Sequence, residues 1–221
     1  MFKSIAFPII ALSMLFISTA CNGSSAQKMS DSAALADTTR YGKLDTAYFA
    51  SGCFWCVEAV YEHLYGVKEA VSGYSGGTTK NPTYEQVGAH ETGHAEAIMV
   101  FYDPKLITYE SLVRVYFASQ NPTQVNGQGP DRGSPYRSII FYRNPSEQKI
   151  AEDYKKKLGD SGKYTDPIAA EIIPFSVFWK AEDYHQNYER LHPENPYVRN
   201  VSVPRIRQAE AQFPELLKKE K

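Results

Sequence analysis

Two cysteines lie three positions apart in the segment Ser51-Gly52-Cys53-Phe54-Trp55-Cys56-Val57-Glu58, with two large aromatic residues between them. Residues 46–50 form a strand-like run before them, and an amphipathic helical pattern follows them. The apolar helical positions are Val57, Val60, Tyr61, Leu64 and Tyr65, and Gly66 ends the pattern. The segment therefore predicts a turn from a strand into a helix. Cys53 lies at the helix N-terminus in this arrangement, where the helix dipole favours a thiolate.

The residues alone allow three interpretations of the Cys53 and Cys56 pair. In the first, Cys53 attacks a substrate as a thiolate and Cys56 then attacks the oxidised Cys53. In the second, the pair is half of a zinc site, although such a site needs two further ligands and the sequence contains no second Cys-x-x-Cys. In the third, the two are small apolar residues of the core. The strand-to-helix turn favours the first interpretation and leaves the others open.

The N-terminus has the layout of an export signal. A positively charged start, an apolar run over residues 5–17 and small residues lead to Cys21, and Ile17-Ser18-Thr19-Ala20-Cys21 resembles a bacterial lipobox. We expect residues 1–20 to be a lipoprotein-type signal peptide and Cys21 to carry lipid. The alternative is an ordinary signal peptide with Cys21 unmodified. The pattern predicts a protein of the bacterial cell envelope, lipid-anchored on the periplasmic side or the outer surface.

The remaining chain divides by composition. Residues 21–43 are rich in Ser, Ala, Asp and Thr without periodicity, which predicts a flexible tether. Residues 44–200 are long enough for one well-buried catalytic domain, and residues 201–221 form a C-terminal tail with a helical pattern from Arg205. The net charge of -1 predicts no nucleic-acid partner.

Strands and helices are interspersed along the domain. Further predicted strands cover residues 67–74, 95–102, 138–142 and 169–173, and further predicted helices cover residues 108–119, 144–159 and 181–191. These elements do not form regular strand–helix–strand units. The predicted fold class is therefore α+β, a two-layer α/β sandwich with a mixed sheet.

The segment His90-Glu91-Thr92-Gly93-His94 matches the H-E-x-x-H pattern of zinc hydrolases. That pattern binds metal only when both histidines lie on one face of a helix. Gly88, Gly93 and the strand-like residues from Ala95 onward argue against a helix here. We therefore predict a glycine-containing loop with solvated histidines, and no metal site.

Glu96 lies where a loop enters an otherwise apolar strand. A carboxyl at the edge of an apolar surface can be desolvated and held protonated, which is what a general acid requires. A solvent-facing strand residue fits the same pattern, so the residues leave both positions open.

Six motifs occur in order over residues 46–197, and together they resemble the methionine sulfoxide reductase A (MsrA) family. They are Gly52-Cys53-Phe54-Trp55-Cys56-Val57-Glu58, Gly73-Tyr74-Ser75-Gly76-Gly77, Asn81-Pro82-Thr83-Tyr84, Gly93-His94-Ala95-Glu96-Ala97, Gly133-Ser134-Pro135-Tyr136-Arg137-Ser138 and Ala181-Glu182-Asp183-Tyr184-His185-Gln186. The resemblance implies an MsrA-type core reminiscent of the ferredoxin-like fold. It also implies reduction of the S epimer of methionine sulfoxide, free or in proteins, without a metal or bound cofactor.

The resemblance further implies residue roles. Cys53 attacks the sulfoxide sulfur as a thiolate and becomes a sulfenic acid. Glu96 hydrogen-bonds or protonates the sulfoxide oxygen. Tyr84 and Tyr136 add hydroxyl donors to that oxygen, and Asp131 helps to order the site.

Substrate recognition and recycling complete what the resemblance implies. Phe54 and Trp55 form an apolar wall for the S-methyl group of the substrate. Many members of the family carry a resolving cysteine in a Gly-rich C-terminal tail, whereas residues 191–221 contain none and Cys56 replaces a glycine found in many relatives. Either a Cys53–Cys56 disulfide is reduced by a thioredoxin-like dithiol, or an external thiol attacks Cys53 directly. We favour the disulfide and expect a monomer.

Two other classes of protein use the same features. A thiol–disulfide oxidoreductase uses the cysteine pair and has no need of Glu96, Tyr84 or Tyr136. A non-catalytic lipoprotein that binds a partner carries the pair as inert thiols. Reactivity of Cys53 toward a sulfoxide distinguishes both from a sulfoxide reductase.

Overall fold

The computed structural model describes residues 43–219. These residues form eight strands: β1 Asp45–Ala50, β2 Val67–Ser75, β3 Ala95–Tyr102, β4 Gly127–Gln128, β5 Asp131–Arg132, β6 Ile139–Tyr142, β7 Glu171–Pro174 and β8 Phe178–Lys180. They also form six α-helices: α1 Phe54–Glu62, α2 Tyr84–Gly88, α3 Tyr109–Ala118, α4 Pro145–Asp160, α5 Tyr188–Leu191 and α6 Val203–Gln212.

Six of the strands form one mixed sheet in the order β7-β6-β1-β3-β2-β8. β6 and β7 run parallel, and the other neighbouring pairs run antiparallel. β3 lies between β1 and β2, and each of its residues is buried. Met99 of β3 pairs with Tyr48 of β1, and Glu96 pairs with Tyr74 of β2. This register brings Glu96 to the end of the sheet at which α1 begins.

Helices cover one face of the sheet. Residues of α1, α3 and α6 join one buried cluster on that face, together with Ile98 and Val100 of β3. Phe49 of β1 stacks on Tyr61 at 5.1 Å between ring centres, and its ring lies 5.6 Å from that of Tyr116. Burial of these large aromatic rings is a main source of the stability of the layer.

A second, smaller cluster covers the opposite face. It contains Met99 and Phe101 of β3, and the ring of Tyr48 stacks on Phe175 at 3.8 Å. β3 therefore alternates between two apolar clusters, which is the period of two predicted for residues 95–102. The predicted α+β fold with a mixed sheet is confirmed.

The predicted helix over residues 181–191 is wrong. The chain instead forms a 3-10 turn at Asp183–His185 and the short helix α5, separated by Asn187 with a φ of 55°. The buried carboxylate of Glu58 in α1 accepts hydrogen bonds from the backbone N–H of Asn187 and the hydroxyl of Ser72. This tertiary contact holds Asn187 in a left-handed conformation that interrupts the helix.

The packed domain continues beyond residue 200. Ile206 and Ala209 of α6 belong to the helix-side cluster, and Leu217 forms a bridge to Leu64 at the end of α1. Residues 201–219, which the sequence analysis separated as a tail, are part of the domain because their apolar side chains complete its core.

The predicted signal peptide, Cys21 and all but the last residue of the predicted tether lie outside the described residues. Within residues 43–219, no helix is long and apolar enough to span a bilayer.

Candidate active site

A tight turn at residues 51–53 joins β1 to α1. Gly52 has a φ of 73°, and a β-carbon there would lie 2.5 Å from Cβ of Gln128, so the turn requires glycine. Cys53 is the N-cap residue and α1 begins at Phe54. The predicted strand-to-helix turn, with Cys53 at the helix N-terminus, is confirmed.

The side chain of Arg205 fixes this turn from α6. Its guanidinium donates to the carbonyl and the hydroxyl of Ser51, each at 2.7 Å, and to the carbonyl of Ser119 at 2.6 Å. The hydroxyl of Ser51 in turn donates to Gln120 at 2.7 Å. A positive charge and a hydrogen-bond network thus lie directly behind the two cysteines.

Glu96 reaches the start of α1 from β3. It is 3% exposed, and its carboxyl accepts a hydrogen bond from the backbone N–H of Phe54 at 2.9 Å. Burial raises the pKa of Glu96 to about 8; nearby Asp131 adds to the rise, and the bond from Phe54 opposes it. The carboxyl is therefore protonated at neutral pH. The sequence allowed Glu96 to be either buried or solvent-facing, and in the structure it is buried.

Two tyrosines and a second carboxyl, each from a different segment, surround Cys53 and Glu96. Burial raises the pKa of Tyr84 to about 12, and the charges of Glu96 and Cys53 contribute to the rise. Burial also raises the pKa of Tyr136, with Glu96 the next cause. Asp131 accepts a hydrogen bond from the hydroxyl of Tyr197 at 2.5 Å; burial raises its pKa, and the backbone of Cys53 is among the groups that oppose the rise. The phenols of Tyr84 and Tyr136 therefore remain hydrogen-bond donors close to the thiol and the carboxyl.

Aromatic rings form the wall beside Cys53. Phe54 stacks on Tyr84 at 6.5 Å between ring centres and lies 4.9 Å from the ring of His185. Trp55 stacks on Tyr188 at 3.8 Å, and its indole N–H donates to Nδ1 of His185 at 3.1 Å. Phe54 is buried and Trp55 is half-buried, so the wall has an apolar inner part and an accessible rim.

Cys56 lies in the first turn of α1 among polar partners. Its sulfur is 3.0 Å from Oγ of Ser202 and 4.0 Å from the hydroxyl of Tyr197. A hydrogen bond from the Cys53 thiol lowers the pKa of Cys56 to about 6, and the charge of Arg205 contributes. The contacts of Cys56 with the hydroxyls of Ser202 and Tyr197 distinguish it from a purely apolar core residue.

The helix dipole favours a thiolate on Cys53, but the burial of Cys53 opposes it. Burial raises the pKa of the Cys53 thiol well above its ordinary value, and its hydrogen bond to Cys56 adds to the rise. Ser202 and Arg205 favour the thiolate form of Cys56.

The H-E-x-x-H segment is not helical. Nδ1 of His94 accepts the backbone N–H of Gly77 at 3.0 Å, and Nε2 donates to the carbonyl of Thr79 at 2.8 Å. His94 is buried with both ring nitrogens bonded within the loops, whereas His90 is exposed. The prediction of a non-helical loop is confirmed, but His94 is not solvated. Within the described part of the chain, no group of three or more His, Cys, Asp or Glu side chains is arranged to hold a metal ion.

The structure brings together the eight residues that the sequence analysis proposed around the thiols: Cys53, Phe54, Trp55, Cys56, Tyr84, Glu96, Asp131 and Tyr136. It adds residues that had been given no role: His185, Tyr188, Tyr197, Ser202 and Arg205. The one sequence signal for Tyr188 and Tyr197 is the high tyrosine content of the chain, which has 16 tyrosines. Ser202 and Arg205 lie in the stretch that the sequence analysis separated as a tail.

The chain is similar in sequence and fold to known proteins. A family model described as peptide methionine sulfoxide reductase matches residues 45–217. MsrA of Picrophilus torridus is 44% identical over 169 residues, which cover 76% of this chain and 95% of that protein. MsrA of Pasteurella multocida is 44% identical over 173 residues, which cover 78% and 98%. The solved structure of methionine sulfoxide reductase A of Corynebacterium diphtheriae has a TM-score of 0.62 and 34% identity, and the match covers 70% of this chain and 77% of that chain. Since the family model spans every site residue from Cys53 to Arg205, this chain belongs to the peptide methionine sulfoxide reductase family.

Proposed function

We propose that Cys53 is the nucleophile with which this member of the family reduces the S epimer of methionine sulfoxide, free or in proteins, to methionine. The position of Glu96 carries the proposal: it is a buried, protonated carboxyl bonded to the amide that follows Cys53. The oxygen of a sulfoxide becomes a good leaving group once it is protonated. A thiol beside a neutral carboxyl supplies both the nucleophile and the acid.

The first half-reaction transfers oxygen from the substrate to Cys53. The sulfur of Cys53 attacks the sulfoxide sulfur while Glu96 gives its proton to the oxygen. The resulting hydroxyl passes to Cys53, methionine leaves, and Glu96 recovers the proton that the Cys53 thiol lost. Two electrons thus pass to the substrate sulfur, and Cys53 becomes a sulfenic acid. Tyr84 and Tyr136 donate hydrogen bonds to the oxygen, and Asp131 orders the site through the backbone of Cys53.

Phe54 and Trp55 are proposed to receive the S-methyl group. Both side chains flank Cys53, and both are held in place by His185, through ring contact with Phe54 and a hydrogen bond from Trp55. When the apolar wall holds the methyl group, the sulfoxide oxygen points toward Glu96, Tyr84 and Tyr136. Only one configuration at sulfur satisfies both contacts.

Cys56 is proposed to regenerate Cys53. Cys56 attacks the sulfur of the Cys53 sulfenic acid, a disulfide forms, and the sulfenic oxygen leaves as water. The position of the two residues supports this step, because Cys53 caps α1 and Cys56 lies in its first turn. A thioredoxin-like dithiol then reduces the disulfide.

Separate peptides that carry the S or the R epimer, with dithiothreitol as reductant, test the function. We expect the wild type to reduce only the S peptide and Cys53→Ser to reduce neither. Cys56→Ser is the matched control, because dithiothreitol can reduce the Cys53 sulfenic acid without it. Reduction of the R peptide, or activity in Cys53→Ser, would overturn the proposal. A general thiol–disulfide oxidoreductase would reduce neither sulfoxide.

The protein is further proposed to be a lipoprotein of the bacterial cell envelope that acts as a monomer. The lipobox-like sequence before Cys21 supports the anchor. The small number of exposed large apolar residues in the described part of the chain supports the monomer: Tyr65, Leu106, Val125, Tyr184 and Leu191. Labelled palmitate should enter the wild type and not Cys21→Ser, and only the wild type should sediment with membranes. Wild type that stays in the soluble fraction without label would contradict the anchor.

A further inference from the structure

The sulfurs of Cys53 and Cys56 are surrounded by different parts of the chain. Cys56 is 1% exposed and lies under residues 197–205, which we call the C-terminal strap. Ser202 of the strap is fully buried, with its Oγ 3.0 Å from Sγ of Cys56. Tyr197 and Arg205 of the strap also face this sulfur. The strap therefore fills the space behind Cys56.

Cys53 lies on the accessible side of the pair. It is 7% exposed, and the site residues Trp55, Tyr84 and Tyr136 beside it are only half-buried. A thiolate attacks a disulfide in line with the S–S bond, so it needs open space behind the sulfur that it attacks. Cys53 is the more accessible of the two sulfurs, whereas attack on Cys56 requires Ser202 and its neighbours in the strap to move away.

The strap also suits Cys56 to leave as a thiolate. The hydroxyl of Ser202 can donate to the sulfur at 3.0 Å, and Arg205 supplies a positive charge that Ser51 and Ser119 hold in place. A disulfide breaks faster toward the sulfur whose thiolate is the more stable. The accessibility of Cys53 and the stability of the Cys56 thiolate therefore favour the same direction of cleavage, in which Cys53 is attacked and Cys56 leaves.

We propose that the dithiol reductant attacks Cys53 of the Cys53–Cys56 disulfide, and that Cys56 leaves as a thiolate that Ser202 positions and stabilises. This inference rests on the recycling route proposed above. The reductant thiolate forms a bond to Cys53, the Cys53–Cys56 bond breaks, and its electron pair goes to Cys56. The second thiol of the reductant then attacks the mixed disulfide, which releases Cys53 as a thiolate and leaves the reductant oxidised.

Trapping the mixed disulfide tests the direction of attack. Enzyme oxidised with one equivalent of an S-sulfoxide peptide is mixed with a thioredoxin whose resolving cysteine is replaced by serine, then quenched in acid and digested for tandem mass spectrometry. We expect thioredoxin to be linked to Cys53, with Cys56 free. A link to Cys56 overturns this inference and leaves the recycling route intact. If the oxidised enzyme contains no Cys53–Cys56 disulfide before mixing, both proposals fail.

Ser202→Ala tests the positioning role. We expect this variant to form the first equivalent of methionine at the wild-type rate, but its disulfide to be reduced by thioredoxin about tenfold more slowly, the effect of one hydrogen bond to a charged group. The ultraviolet absorbance of its thiolate should also titrate at higher pH than in the wild type, which a purely structural role would not cause.

Two further variants control for a general disturbance of the core. Ser202→Thr keeps a hydroxyl and should restore the thioredoxin step. Ser75→Ala removes another buried hydroxyl, one that donates to the carbonyl of Val177, and should reduce its disulfide at the wild-type rate. Equal rates of the thioredoxin step in Ser202→Ala and Ser75→Ala would overturn the role of Ser202.

Discussion

Glu96 lies on a strand that is buried along its whole length, and this burial is why it carries a proton at neutral pH. We expect Glu96→Gln to lower the rate of sulfoxide reduction by about a hundredfold to ten-thousandfold, the usual loss when a general acid is removed. Glutamine can still accept the hydrogen bond from the N–H of Phe54, so the start of α1 should stay in place. The first equivalent of methionine formed by reduced enzyme measures the effect.

Glu58 offers a matched control for this variant. It is a second buried carboxyl, and burial raises its pKa to about 7, but its partners are Ser72 and Asn187 rather than the start of α1. Glu58→Gln should retain sulfoxide reduction. A similar loss of rate in both variants would mean that Glu96 supports the fold and does not act as the acid.

Glu96 also makes stability depend on pH. The carboxyl ionises near pH 4.5 in the unfolded chain and near 8 in the folded protein. Between these values the folded state binds more protons, so stability is full below the lower value and falls as the pH rises. Glu96→Gln cannot ionise, and we expect it to be more stable than the wild type by up to about 3 kcal/mol at pH 7 and by less than about 1 kcal/mol at pH 5. Urea unfolding at both pH values checks this. The same difference in unfolding free energy between variant and wild type at pH 5 and pH 7 would refute it.

At the scale of the helix, the first turn of α1 carries two thiols that the surrounding elements make unequal. Cys53 faces Glu96 and the pocket, and Cys56 faces Ser202. We expect Cys56→Ser to form one equivalent of methionine and then to stop when thioredoxin is the only reductant, because the Cys53 sulfenic acid has no partner thiol. Product formed per enzyme, measured with and without thioredoxin, checks this.

A sulfenic-acid reagent such as dimedone provides the second readout for this variant. After one turnover it should label Cys53 in Cys56→Ser and leave the wild type largely unlabelled, because the wild type has formed its disulfide. Sustained thioredoxin-driven turnover by Cys56→Ser would instead favour direct attack of the reductant on the Cys53 sulfenic acid.

At the scale of the whole molecule, the elements that were predictable are those with local signals. β3 alternates between two apolar clusters. Thr108 caps α3, and its side chain accepts the N–H of Ser111; Asn144 caps α4, and its side chain accepts the N–H of Glu147. A hydrophobic period and a capping side chain depend on residues a few positions apart, so the sequence carries them directly.

The features that sequence analysis missed depend on distant partners. Asn187 interrupts a predicted helix because Glu58, 129 positions earlier, accepts its N–H. Arg205 fixes the turn at Ser51 across 154 positions. Cys53 and Cys56 could be proposed as site residues because the motif around them is contiguous. Ser202 could not be predicted as a site residue, because nothing near it in the sequence indicates that it contacts Cys56.

The long-range contacts of α6 predict that it belongs to the cooperative folding unit. Ile206 and Phe213 are at most 9% exposed, and burial of each such side chain contributes about 1.5–3 kcal/mol. A fragment of residues 43–200 should therefore be less stable than residues 43–219 by at least about 3 kcal/mol in urea unfolding. Arg205→Met in the longer fragment should cause only part of this loss, since it removes the hydrogen bonds at the turn and keeps the packing of α6. Equal stability of the two fragments would mean that the domain ends near residue 200, the boundary that composition suggested.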